Sequence, residues 1–421
     1  MRRKSPVILI HSSNGPQFGF RSWDDDLVLV EPQSVSTTGR LPLAALAALA
    51  VSAFSMLLTE MMPAALLPGM SAALHQSGAA VGILVSVCAA ASTAAAIPLV
   101  AMTRSVPRRT LFVVLLAGFV LANGTLAVAP SYRLIIVSRV ATGLCMGALW
   151  PVVAGYAWHL GRLGNPGRSV AIALSGSTIA LAFGLPSASA IGSVIGWRVM
   201  FGLLSVLFLV LIMWVLWKLP PVQGERIGER VSLVEVAMRP GFPTVLMTTL
   251  LIAIGHYTLY TYMAPLAAAL GVPGGTPTAM LIFGVGAMTG IWIVGRTVDE
   301  HLRRTAWGGL ALTVCAMVSL RLLEHASIGE ELTIYCWGIA FGGVPTFFQT
   351  ATNKAAGPPA DVAASLLSTV YGFGIFGGSA LGGILLKPVG VLNLPLITVA
   401  MVILAGVLIR SGHRRAFPHP P

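Results

Sequence analysis

The sequence predicts an all-α membrane protein, with twelve transmembrane helices arranged as two six-helix bundles. Three observations lead there. The 421 residues are 56% hydrophobic and only 10% charged, with a mean hydropathy of +0.85. A soluble domain carries about 25% charged residues, so water cannot be the solvent for most of this surface. Apolar runs near the ~20 residues that cross ~30 Å of hydrocarbon recur along the whole chain. The charged residues, finally, gather in short clusters between those runs.

Walking the chain, runs of span length are bounded by Gly, Pro and charged residues. They fall near 42–68, 79–101, 109–129, 132–157, 169–191 and 197–218, then near 243–267, 277–296, 305–323, 331–352, 362–386 and 391–410. Domain organisation follows from this pattern. Residues 41–218 form an N-terminal bundle, 219–242 an aqueous connector rich in Glu and Arg, 243–411 a C-terminal bundle, and 412–421 a cytoplasmic tail. Residues 1–40 read as a disordered cytoplasmic tail. Behind Met1-Arg2-Arg3-Lys4 the apolar stretch is only Val7 to Ile10, short of a signal-peptide core of roughly 7–15 residues.

Lys and Arg favour the cytoplasmic side of a membrane. With the amino terminus inside, the outer loops hold only Arg133, Arg198, Arg321 and Lys387, and every other Lys or Arg except Arg139 falls in a tail or an inner segment. Both termini are therefore expected in the cytoplasm. The net charge of +12 does not imply nucleic acid, because no basic domain or aromatic-basic surface gathers it. Cys88, Cys145, Cys315 and Cys336 all lie in apolar runs and match no metal or disulfide spacing. No nucleotide-binding motif, catalytic triad or phosphate-cradling loop appears, so no cofactor and no metal are expected.

The two halves repeat. After the eighth run the chain reads Gly295-x-x-x-Asp299-x-x-x-Arg303-Arg304. Stepping back 195 positions gives Val100-x-x-x-Arg104-x-x-x-Arg108-Arg109 after the second run. Two-half transporters place their substrate site at the interface of such repeats. Small residues recur every fourth position in the fifth run, Gly176, Ala180, Gly184, Ala188 and Gly192, with Pro186 interrupting. The eleventh run carries Gly374, Gly378 and Gly382. Stripes of this kind let helix backbones approach closely in lipid.

These residues, in this order, resemble the major facilitator superfamily, specifically its bacterial drug and sugar efflux branch of proton antiporters, from about Leu41 to Arg410. Thr59-Glu60-Met61-Met62-Pro63-Ala64-Ala65-Leu66-Leu67-Pro68 is similar to that branch's first-helix motif. Arg139-Val140-Ala141-Thr142-Gly143-Leu144-Cys145-Met146-Gly147 resembles its fourth-helix pattern. Gly184-Leu185-Pro186 with Gly196-Trp197-Arg198 resembles its antiporter motif, and Tyr260-Thr261-Tyr262-Met263-Ala264-Pro265 its seventh helix. The resemblance implies a monomeric proton-coupled exporter of a drug-like or sugar-like solute in a bacterial inner membrane. It also implies gating loops at Arg104, Arg108, Arg109, Gly295, Asp299, Arg303 and Arg304, and a coupling role for Arg139. Val100 and Arg104 stand where the family pattern has Gly and Asp, and Gly372 stands where this branch has Asn. A proton-coupled importer and a polytopic membrane enzyme are the alternatives.

Glu60 is the carboxylate set well inside a run, and Arg139 the deep base. An ionised acid at mid-bilayer costs about 2.5–3.5 kcal/mol on insertion scales and defaults to a functional reading. Counting ~1.5 Å per residue from the outer ends puts both at similar depth. They are therefore the candidate proton-coupling pair, with a structural polar role and a substrate anchor as the other readings of Glu60. For Arg139 the other reading is helix packing through backbone carbonyls. Met56, His256, Tyr260 and Gln349 are candidate cavity residues. Tyr257 and Tyr262 add polar tips on the seventh run.

Overall fold

The computed structural model describes residues 9–12, 15–21, 27–29, 42–103, 105–161, 166–222, 233–322, 327–356 and 360–412. The chain forms two compact units, 1–41 and 42–421. Where the sequence suggested a tail without structure, the first unit holds three short strands: β1 (Leu9–Ser12), β2 (Gly15–Arg21) and β3 (Leu27–Leu29). They pair antiparallel in the order β1-β2-β3, with Ile10 opposite Gln17 and Phe20 opposite Val28.

The second unit is helical. Span 1 (Leu43–Ala65) continues into a short helix (Leu67–Leu74). Span 2 (Gly78–Thr103), span 3 (Arg108–Val128), span 4 (Tyr132–Gly161), span 5 (Pro166–Ile195) and span 6 (Trp197–Lys218) follow. A short helix at Leu233–Ala237 lies in the expected connector. Span 7 (Phe242–Tyr260) again continues into a short helix (Met263–Leu270). Spans 8 and 9 run as Gly275–Leu322, bent at His301 (φ −131°, ψ 43°), so the expected loop there is a kink between helices. Span 10 is Ser327–Gly342 and Val344–Ala356, span 11 Ala360–Leu386 and span 12 Leu394–Ser411.

Among the described residues eleven helices are long and apolar enough to cross a membrane. Span 10 is the twelfth: its two pieces, broken at Gly343, are each too short to count alone. The breaks in spans 1 and 7 are equivalent. Leu66 follows span 1 and Thr261 follows span 7, exactly the 195 positions apart that separate the two arginine pairs.

Close packing repeats at the same interval. A Cβ on Gly143 would run into the Cys88 carbonyl of span 2, and one on Gly147 into that of Ser92. Adding 195 to each number gives Gly338 against the Phe283 carbonyl and Gly342 against that of Ala287. Backbone lies on backbone where a side chain would have held the helices apart, which is how small residues drive association in lipid.

The small-residue stripe of span 5 faces span 1. Gly176 lies against the Ala50 carbonyl, Gly184 against the Phe54 ring and Gly192 against Leu66. Within this stripe Pro186 brings no N–H to the Ala182 carbonyl, and residues 180–184 loosen into a π-helical turn. The two bundles meet along spans 5 and 8, where Gly284 touches the Ala182 backbone, and along spans 2 and 11, where Gly78 faces Leu386 and Gly372 faces Thr93.

The packing predicts opposite signs for two Gly→Ala changes. Gly176→Ala drives a methyl into the Ala50 carbonyl and should destabilise by about 1–3 kcal/mol. Gly155→Ala meets open space in span 4 and should stabilise by roughly 0.5–1 kcal/mol. Apparent melting temperatures of the two variants in detergent check this.

Candidate functional site

The site is built where span 4 crosses spans 1 and 2. Arg139, Gly143 and Gly147 lie at intervals of four on span 4, so they share one helix face. The two glycines pull that face onto span 2, and the guanidinium, fully buried, is carried into the bundle with it. A buried guanidinium must have its donors satisfied. Arg139 does this entirely with backbone carbonyls: Nε donates to Leu84 O (3.1 Å), Nη1 to Thr59 O (2.8 Å) and Nη2 to Glu60 O (2.8 Å).

Why those carbonyls accept is legible in span 1. In a helix the N–H of residue 63 bonds the carbonyl of residue 59. Residue 63 is a proline inside span 1, with no N–H to give. Thr59 O is left without its helical partner, and Arg139 Nη1 supplies one. The arginine is thus a three-point clamp on spans 1 and 2, centred on a gap that a proline opened.

Glu60 hangs from the clamped turn. It is 5% exposed, and its carboxylate feels the charge of Arg139. No ion pair within 4.0 Å joins the Glu60 and Arg139 side chains. The structure therefore brings Glu60 and Arg139 together through Glu60's backbone oxygen, with the carboxylate near but not locked to the cation. A carboxylate so placed can exchange a proton without dismantling the helix contact. Cys88 of span 2 shares the same electrostatic neighbourhood.

The other candidate residues lie at different places. Met56 is fully buried on span 1. His256 sits within the C-terminal bundle, boxed by the rings of Tyr257, Tyr260, Phe283, Trp337 and Phe341. Its Nδ1 and the Tyr260 hydroxyl are buried without a hydrogen-bond partner. Beside His256 lies a cavity of about 20 Å³ lined by Ile252, Thr313, Trp337, Phe341 and Thr398, among others. Gln349 is exposed on the second piece of span 10 and bonds Asn353 one turn on (3.3 Å). Thr93 Oγ1 occupies the space where a side chain at Gly372 would stand, and it too is buried without a partner.

Of the expected gating residues, Arg104 and the Asp299 side chain fall outside the described residues. Arg109 holds its own bundle, its guanidinium donating to Leu216 O, while the main-chain N–H at Arg108 donates to Val222 O. The Tyr156 hydroxyl donates to Pro220 O alongside them. Gly295 borders open space, Arg303 is half-buried and Arg304 is exposed. Sequence reasoning missed the part played by Pro63, although its signal, a proline four residues after Thr59, was in plain view. It also missed Tyr371, whose hydroxyl lies 3.4 Å from that of Tyr257.

Residues 49–379 match the family model described as Major Facilitator Superfamily. The chain is 25% identical over 343 residues to a protein of Helicobacter pylori (strain P12) named "Probable sugar efflux transporter", covering 81% of this chain and 88% of that one. A protein of the same name from Mannheimia succiniciproducens is 25% identical over 348 residues, covering 82% and 88%. Among solved structures, a bacterial homolog of the human lysosomal transporter Spinster, inward-facing and unoccupied, superposes with a TM-score of 0.69. It is 14% identical and is covered over 90% of this chain and 98% of that one. Its occupied form gives 0.68 at 15% identity.

The clamp predicts a coupled pair of mutations. Arg139→Met strands the buried Thr59 carbonyl and should cost about 1–3 kcal/mol. Pro63→Ala restores an N–H to that carbonyl, so it should recover about 1 kcal/mol more in the Arg139→Met background than in the wild type. Thermal unfolding of the four proteins in detergent measures the difference; equal effects in both backgrounds would remove the clamp.

Proposed function

The chain belongs to the major facilitator superfamily, and we propose that within it this secondary transporter exports a small sugar-like or drug-like solute in exchange for protons carried by Glu60. The observation that carries this reading is Glu60 itself: a buried carboxylate in the body of span 1, held beside a buried guanidinium yet not paired to it. Acids at such depth are costly and mark proton and substrate pathways. A desolvated carboxyl favours its neutral form while a nearby cation favours the ionised one, and motion that alters either balance loads or unloads a proton.

The direction and class of solute are supported by the relatives named for sugar efflux. Orientation follows the charge pattern, with the face bearing Arg108, Arg109, Arg303 and Arg304 in the cytoplasm and both termini on that side. The membrane is then a bacterial inner membrane and the working unit a monomer. Arg139 in this scheme keeps the proton-bearing turn of span 1 fixed to spans 2 and 4. The carboxylate then moves with the N-terminal bundle as one body. The Arg109 side chain, with the main-chain N–H at Arg108, fixes the end of span 6 and the start of the connector, which ties the gating loop to its own bundle.

Everted membrane vesicles and proteoliposomes loaded with radiolabelled sugars test the proposal. Glu60→Gln should reduce uptake driven by a pH gradient by tenfold or more, with the protein made and inserted at wild-type levels. Solute exchange with no gradient should persist. Undiminished gradient-driven flux in Glu60→Gln would overturn the proton role.

A further inference from the structure

Tyr262 stands at the break between span 7 and the short helix Met263–Leu270, and its side chain is fully buried. Three glycines wall the ring. A Cβ on Gly382 of span 11 would run into its edge, one on Gly383 into its hydroxyl, and one on Gly82 of span 2 into its tip. Gly82 belongs to the N-terminal bundle and the other two to the C-terminal bundle. The phenol is therefore a knob seated across the division between them. Its direction is set from its own side. The hydroxyl donates to the Ser379 carbonyl of span 11 (2.9 Å), and Thr261 next to it shares a hydrogen bond with the Ser379 hydroxyl (2.7 Å).

The knob is part of a longer seam. Spans 2 and 11 run antiparallel: Gly78 faces Leu386, a Cβ on Gly383 would come 3.6 Å from the Ala79 carbonyl, and Gly372 faces Thr93. These contacts reach from the ends of both spans to their middles. Spans 5 and 8 meet in the same half of the molecule. Span 8 packs on residues 180–195 of span 5 and, among the described residues, at most grazes its other part, Pro166–Ile179. The charge pattern puts the closed half on the outer side and the half where spans 5 and 8 part on the cytoplasmic side.

We infer that the Tyr262 phenol, seated on Gly82, is the lock that holds the outer side of the transporter shut. When two bundles rock about a shared middle, one pair of ends separates as the other closes. A phenol anchored to span 11 cannot follow span 2 in that motion, so it leaves the slot each time the outer side opens and returns each time it closes. Glycine at 82 lets the ring approach the span 2 backbone, and closure depends on that approach. The word outer rests on the orientation read from the charge pattern; the knob and its slot do not. Tyr262 is a positioning residue that acts through the balance of the two states.

A side chain at 82 competes for the space the phenol fills. Gly82→Leu should lower the population of the outer-closed state about tenfold and slow solute exchange in proteoliposomes by a similar factor. Amide hydrogen exchange of the whole protein in detergent reads local opening at the two faces separately. Uptake should rise at the outer ends of spans 2, 7 and 11 and fall at the inner ends of spans 5 and 8. Gly82→Ala, smaller but still in the path of the phenol, should show the same opposite changes in weaker form. Tyr262→Ala in the Gly82→Leu background vacates the slot and should bring both rate and pattern back toward wild type, which simple loosening of the packing would not do. Uptake that rises at both faces in both Gly82 variants, or a double variant slower than Gly82→Leu, would overturn the lock. Sidedness is read apart from this: Lys387, the lysine in an outer loop, should react with a membrane-impermeant amine reagent in intact cells. Protection of Lys387 would reverse the orientation and leave the lock standing on the cytoplasmic face.

Discussion

The site depends on one exchange of hydrogen-bond partners. Pro63 withholds the N–H that would have closed the helix on Thr59, and Arg139 closes it from another span. In water such a carbonyl would find a solvent molecule; in hydrocarbon an unmet backbone group costs several kcal/mol. The arginine is equally constrained, since its own donors have no water to turn to. Each defect is the other's remedy. That mutual need fixes the rotation and depth of span 1 against spans 2 and 4, and it sets the side chain of Glu60 beside a cation without making the ion pair that would trap it.

The glycine ladders make this reach possible. Arg139 lies one turn from Gly143, which rests on the Cys88 carbonyl, and Gly147 rests a further turn along on that of Ser92. The Leu84 carbonyl taken by Arg139 is the next rung in the same series. A larger residue on the ladder would lift span 4 away, and the guanidinium would lose its carbonyls.

The second bundle repeats the ladder but not the chemistry. At the positions 195 beyond Arg139, Glu60 and Pro63 stand Ile334, Gly255 and Thr258. With a regular donor in place of the proline there is no stranded carbonyl to serve, and no arginine stands at the equivalent of 139. Instead the second bundle offers hydroxyls: Tyr257 and Tyr371, and the Thr261–Ser379 pair at 2.7 Å. Two bodies of the same packing scheme thus differ at these equivalent positions, one placing a guanidinium and a carboxylate there and the other uncharged residues. A symmetric packing scheme with an asymmetric polar interior suits a transporter whose halves rock about a shared middle.

The sequence by itself determined the solvent, the span count, the two-fold plan and the isolation of Glu60 and Arg139. Hydropathy and spacing are local and survive being read as a string. It also carried the interval of 195, which the glycine contacts and the breaks after spans 1 and 7 then repeated in space. It did not reveal span 10 as a broken helix or residues 297–304 as a kink, because both are decided by how neighbouring helices pack. Only the tertiary structure decided what Arg139 touches. Its charge pointed to the Glu60 carboxylate, and depth along the helix axis allowed it, but rotation about that axis is set by Gly143 and Gly147 on a third helix. Tyr371 was invisible for the same reason: its significance is its closeness to Tyr257, two residues on spans 7 and 11 that no periodicity connects.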